Sequence, residues 1–302
     1  MHLYALRAMT TTDPPDPQLW VREEPPAAQP DPALRYRVRF RPLAALRELW
    51  ADREMIRSLA EREMRARYKQ TYLGIAWAIV TPFLLMVVFT LFFKRAANID
   101  TGDVPYPLFA YMGLLPWGLF STSLSQGGVS LVNNVSLLNK VYCPREVFPL
   151  ASVGLALVDT AIASTAAAVM FAVEGYAPRA TSVYVPLLFA VQLAFTVGVV
   201  LITSAVVVYL RDLRTTLPLI LQLGLFASPV AYGLGTIPEH LRPLYAATNP
   251  LVSVIDGYRR TILFGQPPRW GLLALSATTA LIVLVAGFWA FKRLEGGIAD
   301  VA

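Results

Sequence analysis

Six apolar runs, separated by short charged segments, occupy the chain from residue 74 onward. A bilayer core about 30 Å thick is crossed by about 20 apolar helical residues. The first run, Gly74 to Phe93, has that length, and Pro82 within it predicts a kink. The second crossing is expected within Tyr106–Val132, around Pro116, and the third over Val147–Val173. The fourth is expected over Val183–Leu210, the fifth over Leu217–Leu234 and the last over Leu272–Phe291, closed by Lys292 and Arg293. The pattern predicts an all-α fold, a polytopic membrane protein with six transmembrane helices.

Ahead of these runs the pattern changes twice. Residues 1–42 are rich in Pro, Asp, Glu and Arg without apolar periodicity, and read as a disordered cytosolic tail. Residues 43–70 have helical periodicity. Leu46, Leu49, Ile56, Ala60 and Met64 share one side of the wheel, while Arg47, Glu54, Ser58 and Arg62 lie mostly opposite. Arg53 and Arg57 interrupt the apolar side, where long stems can snorkel toward headgroups. The expectation is an interfacial amphipathic helix on the cytosolic surface, with packing against a partner as the alternative. Residues 71–302 then form the membrane domain.

Charge sets the expected orientation. Arg62, Arg65, Arg67 and Lys69 precede the first run and place the N-terminus inside, although Lys94 and Arg95 follow it. With six crossings both termini are cytosolic. Two short inner turns result: Arg211, Asp212 and Arg214 form one, and the bridge SLLNKVYCPREVFPL, Ser136 to Leu150, forms the other. Pro144 ends one helix there before the next begins. Between the fifth and sixth runs lies a long external segment, too polar to span. It reads either as two short re-entrant helices broken at Pro250 or as a surface loop.

Composition narrows the function. The chain is 56% hydrophobic and 15% charged, whereas a soluble domain is about 25% charged. The net charge of +6 sits mainly beside the apolar runs, so positive-inside topology accounts for it without nucleic acid. One cysteine, Cys143, and two distant histidines, His2 and His240, offer no metal centre and no intrachain disulfide. No cleavable signal is expected, since the first strongly apolar run starts beyond residue 70. No glycine is followed by lysine, so the G-x-x-x-x-G-K-[ST] phosphate loop is absent.

Six ordered blocks carry a resemblance: RYKQTYLGIAWAIVTPFL, VPYPLFAYMGLLPWGLFSTSL, NKVYCPREVFPLASV, YLRDLRTTLPLILQLGLFASPVAY, NPLVSVIDGYRRTILFG and FKRLEGGIAD. From about Arg65 onward the chain resembles the permease subunit of ABC exporters for O-antigen, capsule, teichoic acid and galactan. The resemblance implies a homodimer docked to two copies of a separate nucleotide-binding subunit, which holds ATP and Mg. This chain is expected to carry no cofactor, no metal and no catalytic residue. The implied cargo is a lipid-linked glycan crossing a bacterial inner membrane. The bridge is then the coupling element, with Asn139, Lys140, Tyr142, Pro144, Arg145 and Glu146 at the ATPase surface.

Aromatic faces that stack on sugar rings suit such a passage, and Tyr106, Tyr111, Trp117, Phe120, Phe226 and Tyr232 are the candidates. Packing and lipid-facing roles are the alternative for each. Arg65, Arg67 and Lys69 suit a lipid pyrophosphate, with plain topological anchoring as the alternative. Asp159 lies mid-run, where an ionised carboxylate is costly, and is expected to be neutral or to bond to Gln192 or Gln222. Within transport, an exporter of a lipid or drug is the alternative. A membrane glycosyltransferase would need clustered carboxylates, which Asp256 alone does not supply. A proton-coupled transporter would need further buried charges and an internal repeat.

Overall fold

The apolar runs fold as helices whose ends fall where the sequence changes character. The computed structural model describes residues 53–68, 74–94, 102, 104–138, 144–177 and 179–301, all within one unit, residues 40–302. The tail at 1–42 therefore lies outside the described residues. No strand occurs among them. We number the principal helices α1 (Arg53–Tyr68), α2 (Trp77–Phe89), α3 (Tyr106–Gly127), α4 (Val147–Val173), α5 (Val185–Tyr209), α6 (Asp212–Ala227), α7 (Arg242–Thr248), α8 (Leu251–Tyr258) and α9 (Trp270–Val301). Prolines in the first turn open α3, α5 and α7, where a missing N–H costs no intrahelical bond.

Among the described residues, four helical segments are long and apolar enough to cross a bilayer: Gly74–Phe93, Val147–Val173, Ala180–Tyr209 and Trp270–Glu295. Helix α3 has 22 residues but carries more Gly, Ser and Thr. It is the central helix, with most of its side chains covered by protein rather than lipid. The fifth element departs from expectation. It ends at Ala227, after 16 residues, instead of continuing to Leu234. Pro229 is the reason: the residue before a proline is driven from the helical region, and Ser228 is extended, with φ −104° and ψ 150°.

Helix α4 lies along α3, and α9 along α5. The second contact is closest at two glycines. A Cβ on Gly198 would sit 2.6 Å from the Val283 carbonyl oxygen, and one on Gly287 would run into the Gly198 carbonyl. Small residues permit this approach of backbones. Gly287→Val is expected to force the pair apart at a cost of about 1–3 kcal/mol, read as a lower melting temperature in detergent. An unchanged melt would show that the contact is not tight.

At the end of the bundle nearest the bridge, Leu131, Phe148, Leu201, Ala205, Val208 and Phe291 form one apolar cluster. Leu59 of α1 and Leu294 of α9 pack against it. Helix α1 therefore covers its own bundle: it packs on α4, with Ala60 facing Gly154. Its Arg62 donates to Asn134 Oδ1 at 2.7 Å. Residues 43–52 of the expected amphipathic helix lie outside the described residues.

Candidate functional site

A groove of about 510 Å³ runs between α2, α3 and α4. Gly118, Ser121, Thr122, Ser125 and Gln126 of α3 line it, three or four positions apart and hence on one helix face. Helix α4 adds Asp159 and Thr160, and α2 adds Trp77 and Thr81. The α3 wall from Leu114 to Gln126 is about 18 Å long. The hydroxyls of Ser121, Ser125 and Thr160 donate to main-chain carbonyls of their own helices. Each oxygen retains acceptor capacity toward the groove. Pro82, Leu85, Leu114, Leu115 and Ala163 make the rest of the lining apolar. The exposed Trp77 indole lies at the groove, while Trp117 is buried. Such a wall can take a ligand that has both apolar faces and hydroxyls.

Of the six aromatic candidates, Trp117 borders this groove, and its ring also covers Gly224 of α6. Tyr106 and Tyr111 are core residues with no exposed surface. Their hydroxyls donate to Ala231 and Ala163 carbonyls at 2.7 and 2.9 Å. A ring covered on every side by its own chain presents no face to a passage. Phe120 is likewise buried, stacked on Phe195 at 5.5 Å. Phe226 is exposed, and Tyr232 shares a hydrogen bond with Tyr245 at 3.0 Å.

Asp159 is half-buried at the groove. The expected partner Gln192 bonds elsewhere: its Nε2 donates to Pro116 O at 2.9 Å, and its Oε1 accepts from Tyr258 at 3.2 Å. Gln222 is exposed on α6. Among the candidate phosphate cations, Arg65 is exposed and lies 3.7 Å from Glu61. The Arg67 side chain and all of Lys69 lie outside the described residues.

The bridge residues divide. Asn139, Lys140 and Tyr142 lie outside the described residues. Pro144 and Arg145 are half-buried, and Arg145 donates to the Glu295 carbonyl. Glu146, expected at a docking surface, is turned inward: it is 1% exposed and pairs with Lys292 Nζ at 2.6 Å. Lys292 also reaches Glu295 at 3.1 Å, and Tyr209 donates to Leu294 O at 2.8 Å. A carboxylate this deep requires a charged partner, and α9 supplies it. The start of α4, immediately after the bridge, is thereby fastened to α9.

Sequence reasoning missed Arg259. Its guanidinium, 3% exposed, donates to four main-chain carbonyls: Phe109 at 3.0 Å, Pro229 at 2.6 Å, Tyr232 at 2.9 Å and Val230 at 2.5 Å. It also lies over the Phe109 ring at 3.7 Å. Gly113 leaves the room, because a Cβ there would strike the guanidinium. Three of the carbonyls belong to the irregular segment that follows the break in α6. Beyond it come α7 and α8, separated at Asn249–Pro250, with Leu251, Val252, Val254 and Ile255 of α8 buried in the bundle. Asn249 bonds Ser228 at 2.9 Å, and Ser276 of α9 bonds Ser253 at 2.8 Å.

Helices of membrane-crossing length around a groove with one polar stripe, and a bridge fastened at one end of the bundle, fit a multi-pass membrane transport protein. Residues 54–263 match the ABC-2 type transporter family, and the chain belongs to that family. It is 34% identical over 243 residues to the O-antigen export system permease protein RfbA of Myxococcus xanthus, covering 80% of this chain and 93% of the relative. It is 27% identical over 244 residues to the protein of the same description from Klebsiella pneumoniae, with the same coverage. The polysialic acid transport protein KpsM of Escherichia coli is 24% identical over 245 residues, again over 80% and 93%.

Proposed function

We propose that this chain is the permease subunit of an ATP-driven exporter. It moves a polysaccharide linked to polyprenyl pyrophosphate from the cytosolic to the outer face of a bacterial inner membrane. The observation that carries the reading is the alignment with O-antigen export permeases over nearly their whole length. The groove supports it, because it offers the α3 acceptors and the exposed Trp77 indole without any tight pocket for one sugar. ATP is hydrolysed by a separate nucleotide-binding subunit that docks at the bridge through residues 139–145, while Glu146 anchors the bridge from within. Arg65, Arg67 and Lys69 receive the pyrophosphate at the inner face.

In this reading α3 and α6 complete six crossings, and both termini are cytosolic. Helix α3 is about 33 Å long, enough for the hydrocarbon core. Helices α7 and α8 dip back into the outer leaflet, where the backbone is tolerated because protein covers it. Helix α6 buries only Leu217 and exposes Leu219, Ile220, Leu223 and Phe226. That face suits a second copy of the chain, and Phe226 then lies at the passage between the two.

The test is deletion of the gene in its own host, complemented with wild type or Gly118→Phe, with surface carbohydrate labelled by periodate and a hydrazide dye. A Cβ at Gly118 meets nothing within 4 Å, so a phenyl group enters the groove without displacing backbone. Wild type is expected to restore surface glycan. Gly118→Phe is expected to insert normally and bind the ATPase, yet lose most of the export. No loss of surface glycan on deletion would refute the transport reading; full export by Gly118→Phe would remove the groove from the path.

A further inference from the structure

A second hollow lies on the other flank of α4, between α4 and α5 over a floor from α3. It measures about 950 Å³, at the upper end of the roughly 300–1,000 Å³ of small-molecule sites. Ala161, Ser164, Ala168 and Ala172 share the α4 face that lines it. Such small residues in a membrane helix normally seat a neighbouring helix. Here α4 packs chiefly on α3 and α5 chiefly on α9, so the two walls diverge and the stripe faces the hollow.

The lining offers water few partners. Gln192 is bonded at both ends of its amide, and the hydroxyls of Thr160 and Ser164 donate within α4 and keep only acceptor lone pairs toward the hollow. A buried water needs two to four polar partners. Both walls belong to membrane-crossing segments, so the mouth opens where hydrocarbon is the solvent. From Thr160 to Ala172 the wall is about 18 Å long, close to the half-thickness of about 15 Å of a hydrocarbon core. Tyr176, Ser182 and Tyr258 close the end away from the bridge. Arg179, three residues before Ser182 and outside the lining itself, is exposed with its stem beside Gly265.

We propose that this crevice binds one acyl tail of a bilayer phospholipid, with the headgroup phosphate at Arg179. The apolar walls take the chain, their length matches one leaflet, and the rim cation matches the phosphate. The site is independent of the transported cargo.

The test uses the full-length chain in vesicles of phosphatidylethanolamine and phosphatidylglycerol, doped with a phosphatidylglycerol carrying a diazirine at the acyl terminus. Irradiation is expected to place adducts on Leu157 and Ala161, at the deep end. Ala168→Phe, which fills the hollow, is expected to lose those adducts while keeping adducts on the exposed α9 face at Leu281 and Ile282. Arg179→Glu, which fills nothing, is expected to weaken them as well. Four results would overturn the proposal: no deep-wall adducts in wild type, labelling of both variants equal to that of wild type, labelling by a diazirine polyprenyl phosphate but not by the phospholipid, or a cross-link between copies through the stripe.

Discussion

Arg259→Ala is expected to yield little folded protein. The substitution leaves the carbonyls of Pro229, Val230 and Tyr232 buried without their shared donor, while Phe109 O, inside α3, loses only its second bond. Each buried unsatisfied group costs about 1–3 kcal/mol, so the sum is of the order of the whole net stability of a domain, roughly 5–15 kcal/mol. The loss concentrates on one region, where the chain leaves α6 and has no helical ladder to absorb its carbonyls. Arg259→Lys is expected to recover only part of it, since an ammonium has neither the planar fork nor the flat face that lies on Phe109. Size-exclusion profiles and melting curves of the solubilised chain measure both. A wild-type melt for Arg259→Ala would show that the segment after Ala227 finds other donors.

Lys292→Glu is expected to be the second severe lesion, by a different route. It places a third carboxylate beside Glu146 and Glu295 and removes the charge that makes a buried Glu146 tolerable. Breaking a buried pair from one side costs about 3–5 kcal/mol, and the lower part of that range applies because Lys292 is 17% exposed on its side chain. The exchange Glu146→Lys with Lys292→Glu is expected to recover part of the melting temperature, which simple loss of packing would not. The pair also has a mechanical meaning within the proposed function. Motion delivered to residues 139–143 reaches α4 and α9 together, because Glu146 and Arg145 both fasten the start of α4 to α9. If the exchange restores the melt but not export, the order of charges at the bridge matters for coupling as well as for stability.

The two lesions bear on the sequence reading in opposite ways. The family resemblance places Glu146 at the ATPase-docking surface of the bridge, whereas the carboxylate is buried. Its burial depends on Lys292, which lies far along the chain, and no local pattern announces that pair. Arg259 was noticed only as part of a polar external segment. Its partners are main-chain carbonyls, which carry no side-chain signature. The polar side of the groove is legible in the sequence: Gly118, Ser121, Thr122, Ser125 and Gln126 form a helical stripe readable by spacing alone. Aromatic content drew the path toward Tyr106 and Tyr111 instead, whose hydroxyls serve the core.

The order of apolar runs determined from the sequence alone that this is an all-helical membrane protein, because a bilayer demands length and hydropathy that are local properties of the chain. The same local logic placed the break between α7 and α8 at Pro250, and the shared motifs placed the chain in its transporter class. Tertiary structure alone decided which charges turn inward, which aromatic rings are covered, and that the irregular segment after α6 gives its carbonyls to Arg259. Those outcomes depend on contacts between residues distant in sequence. Burying a charge or a carbonyl is stable only when a specific remote partner arrives to satisfy it.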